Sequence, residues 1–446
     1  MSCGARRSSS CGARMFSSGG ARECSTTPAA ATGSRARRRL VAAGHVVTLA
    51  ALSVGLLYHL AGLPPLRDFG VWYRLDLDVY RIGGSALVDG TPLYGELPLT
   101  RSGVPLPFTY PPLAAVVFAP LAFVPLPVAG VVLTVASIAL LAVVIVVTLR
   151  SLGFADRSIL MWGTLGALAV AFALEPVSST FDYGQINIVL MALVVVDCLA
   201  ERTPWPRGML VGLAAAVKLT PAVFVLFFLL RRDWRAVAGT AGGFVAFTLV
   251  GFAATWRDSV AYWTGVLFDA GRIGTSAYPP NQSITGVLAR ASWDESAPWL
   301  VASAVVCCLA IAAMSAALRA GEKALALCVN ALAGLLVSPV SWSHHWVWTV
   351  PLLLTLGVLA WRGLGGAAPR RTRGAVFAAL TLAGLVATRW PPHWLLGGGR
   401  WDGVGWPALD QIVASAYVWW AVAVLVATWL LLRRVPARAA PQTAPV

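Results

Sequence analysis

Apolar runs long enough to cross a bilayer recur from Leu40 to Leu432, and they leave this chain few choices of fold. Stretches at 40–63, 128–149, 158–175, 186–200, 236–254, 298–318, 324–340, 346–361, 374–389 and 412–432 each read as a helix buried in lipid. Only 12% of the 446 residues are charged, where a soluble chain carries about 25%. No soluble fold suits a composition that is 58% hydrophobic. The expectation is an all-α polytopic membrane protein of about 10 transmembrane helices, with re-entrant or interfacial helices added. Residues 113–127 are apolar but cut by Pro120, Pro125 and Pro127, which suits such a piece. The stretch 209–230 is broken by Lys218 and Pro221 and reads as two half-helices.

The formal charge of +15 does not mark a nucleic-acid binder, because the arginines sit in short clusters between apolar runs. That is the positive-inside pattern of membrane proteins. Clusters at 35–39, 150–157, 231–235, 362–373 and 433–438 fall on one side if 209–230 re-enters. They place residues 1–39 as a disordered cytoplasmic tail, 40–432 as the membrane domain and 433–446 as a second cytoplasmic tail. The loops at 64–112, 176–185, 255–297, 341–345 and 390–411 then face outward. Loop 201–208 barely chooses a side by its charges. No internal repeat is visible. The seven cysteines form no CxxC pair, and Cys198, Cys307, Cys308 and Cys328 read as buried thiols in apolar runs.

The unusual polar residues gather toward the outer side. The first outer loop, 64–112, carries Asp76, Asp78 and Tyr80, and it ends in Phe108-Thr109-Tyr110-Pro111-Pro112. Carboxylates two residues apart point to opposite faces of a strand, or lie about 200° apart on a helix. One of Asp76 and Asp78 is therefore singled out from the other, unless both are simply solvated beside Arg74 and Arg81. Gln185 and Asn187 stand where a spanning helix begins, as caps or as ligands for hydroxyl groups. Lys218 is one of only two lysines, with Lys323, among 34 basic residues. A charge at membrane depth costs about 2.5–3.5 kcal/mol on insertion scales, so Lys218 reads as functional or as a snorkelling side chain. Asn281 and Gln282 lie in the third outer loop. His344 and His345 lie at an outer boundary, as part of an aromatic belt or as donors to a phosphate. Adjacent histidines without a third ligand make a poor metal site, and no nucleotide-binding glycine loop is present. No metal and no cofactor are expected.

Taken in order, Asp76-Leu77-Asp78-Val79-Tyr80, Phe108 to Pro112, Gly184-Gln185-Ile186-Asn187, Lys218 to Pro221, Asn281 to Ser283 and Ser338 to His345 resemble the polytopic glycosyltransferases of family 87. The resemblance covers about residues 40–430. It implies the C-type glycosyltransferase fold, an actinobacterial source, and a polyprenyl-phosphate-mannose donor. It also implies a glycolipid or lipoglycan acceptor in the cell envelope and an α-1,2 linkage made with inversion. The family pattern D-L-x-V-Y puts the catalytic carboxylate at Asp76 and leaves Asp78 in the variable place. Lys218, His344 and His345 are then expected at the donor phosphate. Asp78, Tyr80, Tyr110, Gln185, Asn187, Asn281 and Gln282 are expected at the substrates. The active site would face outward from the plasma membrane. Relatives that transfer arabinofuranose keep that sugar open. A lipid or sugar flippase is the rival from another class, and it predicts repeated halves with matched midplane polar groups.

Overall fold

The computed structural model describes residues 28–293, 296–396 and 406–436. Among them the secondary structure is helical, apart from two isolated bridges. The chain divides into two units at Val47 and Thr48. Helix α1 (Pro28–Leu60) starts within the segment expected as a tail, and residues 1–27 and 437–446 lie outside the described residues.

The segment 64–112 contains a helix of its own, α2 (Leu75–Asp89), closed by Gly90 in the left-handed conformation at φ +68°. Then come α3 (Pro112–Phe118), a 3-10 turn at 119–123, and α4 (Leu126–Ser151). The prolines expected to interrupt 113–127 do so. Helices α5 (Arg157–Ala171) and α6 (Glu175–Tyr183) meet at a 74° bend. After them come α7 (Asn187–Leu199), α8 (Met209–Val217), a 3-10 turn at 220–224 and α9 (Val225–Leu230). The second half holds α10 (Trp234–Ala254), α11 (Trp256–Thr264), α12 (Ile284–Arg290), α13 (Ser296–Arg319) and α14 (Lys323–Val337). A 3-10 turn at 343–348 leads into α15 (Thr349–Leu364), followed by α16 (Ala368–Arg389), α17 (Pro392–Leu395), α18 (Ala408–Ala414) and α19 (Ala416–Leu432).

Ten apolar runs do not become ten long helices. Among the described residues six helices can cross a bilayer by length and composition, or eight if the bent pairs α5–α6 and α18–α19 each count as one span. The other two runs are α7, with 13 residues, and α14, with 15. At 1.5 Å per residue each falls well short of a hydrocarbon core of about 30 Å. Helix α14 is buried along nearly its whole surface, packed by α13, α15 and α19. An apolar sequence records that a helix is buried, and here the neighbours that bury it are protein.

The break in 209–230 falls as expected. Pro221 has no N–H to give to the carbonyl four residues back, so α8 stops at Val217 and Lys218 turns extended, with φ −148° and ψ 123°. Loop 201–208 folds onto the buried carboxylate of Asp197, which accepts from the backbone N–H groups of Gly208 at 3.1 Å and Val211 at 3.0 Å. These bonds start α8.

Candidate active site

Helix α2 carries Asp76 and Asp78 in its first turn, and their side chains go separate ways. Asp78 is buried. Its Oδ2 accepts from the Tyr73 hydroxyl at 2.9 Å and the Arg101 backbone N–H at 2.7 Å, which fastens the loop back onto α2. Asp76 is half-buried, and its Oδ2 accepts from Gln185 Nε2 at 2.6 Å. Its second oxygen meets no hydrogen-bond donor among the described residues. Burial pushes the Asp76 carboxyl up to about 6, although the Gln185 bond and the charge of Lys218 both favour ionisation.

Gln185 is held at both ends. The Tyr80 hydroxyl donates to its Oε1 at 2.6 Å, and the Tyr110 hydroxyl lies 3.0 Å from that of Tyr80. Since Tyr80 spends its proton on Gln185, Tyr110 donates to Tyr80. The relay fixes the polarity of the amide, with its oxygen toward Tyr80 and its N–H toward Asp76. Burial keeps both phenols well above the usual tyrosine range, so both remain donors at neutral pH.

Lys218 reaches the same cluster from the break after α8. Its Nζ lies 3.4 Å from Asn187 Oδ1, 3.4 Å from His345 Nε2 and 5.4 Å from the centre of the Tyr110 ring. The negative end of α8 and the positive end of α7 both point here. Asn187 does not cap its helix. Its Nδ2 donates to the His344 carbonyl at 3.0 Å, which leaves its oxygen for the lysine. A cleft beside Lys218 is lined by Asn187, Thr220, Ser341, His345 and Trp348. The His344 ring packs against Tyr183 and His345, and its Nε2 is buried without a hydrogen-bond partner among the described residues.

Asp76, Tyr80, Tyr110, Gln185, Asn187, Lys218 and His345 are thus brought together, with His344 at the edge. Asn281 and Gln282 stand apart from them and are fully buried. Asn281 Oδ1 accepts from the Ser341 N–H at 2.9 Å, and the Gln282 N–H donates to the Ser341 carbonyl at 2.8 Å. Gln282 Nε2 donates to the carbonyls of Pro279 and Ala414 at 2.8 and 2.7 Å. These amides tie the segment 255–297 to the turn that carries the two histidines.

Two supporting residues did not stand out in the sequence. The buried Arg74 donates to the Phe181 and Trp72 carbonyls and to Thr134 Oγ1, clamping α2 to α6 and α4. Glu175 accepts from Ser179, Ser343 and Trp394 on one oxygen and from Tyr417 on the other, and so fixes the turn under His344. Its signal was a lone carboxylate at the end of an apolar run.

Gly184 is where geometry leaves least freedom. It sits at φ +71°, and an added Cβ would stand 2.7 Å from that of Leu77. Gly184→Ala therefore costs at least about 1–2 kcal/mol from the left-handed backbone alone, and it pushes Gln185 away from Asp76. Transfer should fall more than tenfold with a lower melting temperature. An alanine variant of normal activity would show that the approach of α6 to α2 is not needed.

Bilayer-length helices that gather a half-buried carboxylate, a lysine and an imidazole into one cluster define a class: a multi-pass membrane protein with an embedded polar site. The model of glycosyltransferase family 87 matches residues 108–339. A polyprenol-phosphate-mannose-dependent alpha-(1-2)-phosphatidylinositol mannoside mannosyltransferase of Mycobacterium tuberculosis is 46% identical over 387 residues, which is 83% of this chain and 87% of the relative. A protein of the same description from Mycolicibacterium smegmatis is 45% identical over 80% of this chain and 84% of its own length. A pentamannoside mannosyltransferase of the same organism is 38% identical over 76% of this chain and 83% of its own length. The chain belongs to glycosyltransferase family 87 and is a multi-pass membrane glycosyltransferase. No solved structure matches it significantly.

Proposed function

We propose that this enzyme moves a mannosyl residue from polyprenyl-phosphate-mannose to a phosphatidylinositol mannoside or related lipoglycan, on the extracytoplasmic face of the plasma membrane, forming an α-1,2 linkage with inversion. The relatives' names support the donor, acceptor and linkage. The observation that carries the chemistry is one half-buried carboxylate, Asp76, within electrostatic reach of Lys218.

The two charges suit the two ends of a single displacement. Asp76 takes the proton from the acceptor hydroxyl as its oxygen bonds to the anomeric carbon, and the carbon–oxygen bond to phosphate breaks on the other face. Negative charge then grows on the departing phosphate, where Lys218 and the imidazoles of His345 and His344 stabilise it. Charge fixed in place before the reaction usually supplies the largest share of such catalysis. Attack opposite the leaving group turns a β-linked donor into an α-linked product. Asn281 and Gln282 act through the backbone that presents the histidines.

A base must be ionised to work, so the rate should rise with pH through about 6. Tyr80→Phe frees the Gln185 amide to turn, which removes an N–H from the carboxylate and raises its pKa. The acid limb of the profile should move to higher pH, and an unmoved limb would remove the relay from the mechanism.

The function is tested by incubating the purified full chain with radiolabelled polyprenyl-phosphate-mannose and phosphatidylinositol mannosides. Label should appear in a glycolipid whose new sugar is released by an α-1,2-mannosidase. Transfer only from the arabinofuranosyl donor would overturn the assignment.

A further inference from the structure

The second lysine of the chain takes no part in the site. Lys323 opens α14, and with Arg231 and Arg319 it lines a cavity of about 430 Å³ where the end of α9, the end of α13 and the start of α14 meet. Leu230, Leu318 and Ser315 complete the wall, and no carboxylate lines it. Arg207 lies within electrostatic range of both Arg231 and Lys323. Against these cations stand Asp233, facing Arg231, and Glu201, facing Lys323. Asp233 is already engaged, accepting from the Ala236 N–H at 3.2 Å to cap α10.

Arg231 is incompletely satisfied. Its Nη1 is shut off from solvent and meets no acceptor among the described residues, while the Phe227 ring lies 5.1 Å from the guanidinium carbon. A buried cationic N–H without an acceptor is costly, and because Arg231 also lines the cavity, an anion there would neutralise the same guanidinium. The positive-inside excess explains why basic residues lie on this side. It does not require that three of them, from three helices, share one concavity with a guanidinium N–H left over.

We propose that this cavity binds the phosphate of an anionic phospholipid of the inner leaflet. The phosphate sits among Arg231, Arg319 and Lys323, and the acyl chains run outward past Leu230 and Leu318. The apolar walls favour a lipid over free phosphate. So does the position of Arg319 at the last turn of a bilayer-length helix, the depth at which headgroups lie.

The test uses the full chain in zwitterionic detergent, titrated with dihexanoyl phosphatidylglycerol, dihexanoyl phosphatidylcholine or inorganic phosphate, with the melting temperature as readout. Phosphatidylglycerol should raise it saturably and phosphatidylcholine should not. The combined Arg231→Gln, Arg319→Gln, Lys323→Gln variant should need roughly tenfold more phosphatidylglycerol or more. Lys323→Gln alone should show a smaller shift in the same direction, which keeps the test alive if the triple variant does not fold. A control that loses Arg370, Arg371 and Arg373 to Gln removes equal charge from another basic cluster and should respond as the native chain does. An equal response to phosphatidylcholine or to inorganic phosphate would overturn the lipid assignment. So would an unchanged titration of Lys323→Gln together with any folded triple variant, or an equal loss in the control.

Discussion

Asp76→Asn should lower mannosyl transfer by roughly 10²–10⁴-fold, the range expected when general-base catalysis alone is lost. Asparagine keeps the shape and still accepts from Gln185 Nε2, the bond that holds Asp76 at 2.6 Å. It cannot take a proton at neutral pH. Donor affinity should stay within a few-fold, because the groups that would meet the phosphate belong to Lys218 and the 343–348 turn. Asp78→Asn is the matched comparison. Asp78 bonds the Tyr73 hydroxyl and the Arg101 N–H, and an asparagine oxygen accepts from both. Neither Arg74 nor Arg81 depends on it, since Arg74 donates to Phe181, Trp72 and Thr134, and Arg81 donates to the Leu121 carbonyl. Its activity should therefore remain within about tenfold of the native enzyme, a bound argued from one retained hydrogen-bond acceptor. Turnover of the two variants at equal expression decides the matter. An active Asp76→Asn beside a dead Asp78→Asn would reverse the roles, and two active variants would take α2 out of the chemistry.

Lys218→Ala should cost roughly 10²–10³ in turnover, the scale seen when one preorganised stabiliser of developing charge is removed, together with weaker donor binding. The ammonium contacts Asn187 and His345, so nothing in the bundle depends on it as the Arg74 clamp does. Membrane insertion and melting temperature should stay near normal. Lys218→Arg is informative as well, because a planar guanidinium keeps the charge but not the compact ammonium, and it should recover only part of the loss. Full activity in Lys218→Ala, or failure to insert, would remove the lysine from the phosphate.

The separation of Asp76 from Asp78 was legible because it depends only on the angle between two neighbouring residues in a local conformation. The break at Lys218 was legible for the same kind of reason, since proline lacks an N–H wherever it occurs. The partners of those residues were not legible. Gln185 meets Asp76 across 109 residues of chain, and Lys218 meets His345 across 127. Gln185 and Asn187 read locally as caps for α7 or as ligands for hydroxyl groups, and in the fold both side chains reach other segments. Asn281 and Gln282 are expected at the substrates from the family resemblance, and the fold adds that both are buried in bonds to backbone.

What the sequence by itself determined is the helical membrane class, the break at Lys218 and the divergence of the two carboxylates. Each follows from composition or from the geometry of adjacent residues. Only the tertiary structure decided that two of the ten apolar runs are short helices, one of them wrapped almost wholly by other helices, and that the carboxylate and the lysine belong to one cluster of polar side chains. Apolarity states that a segment avoids water without stating whether lipid or protein covers it. A polar side chain states that it needs a partner, and which partner it meets depends on how distant segments pack.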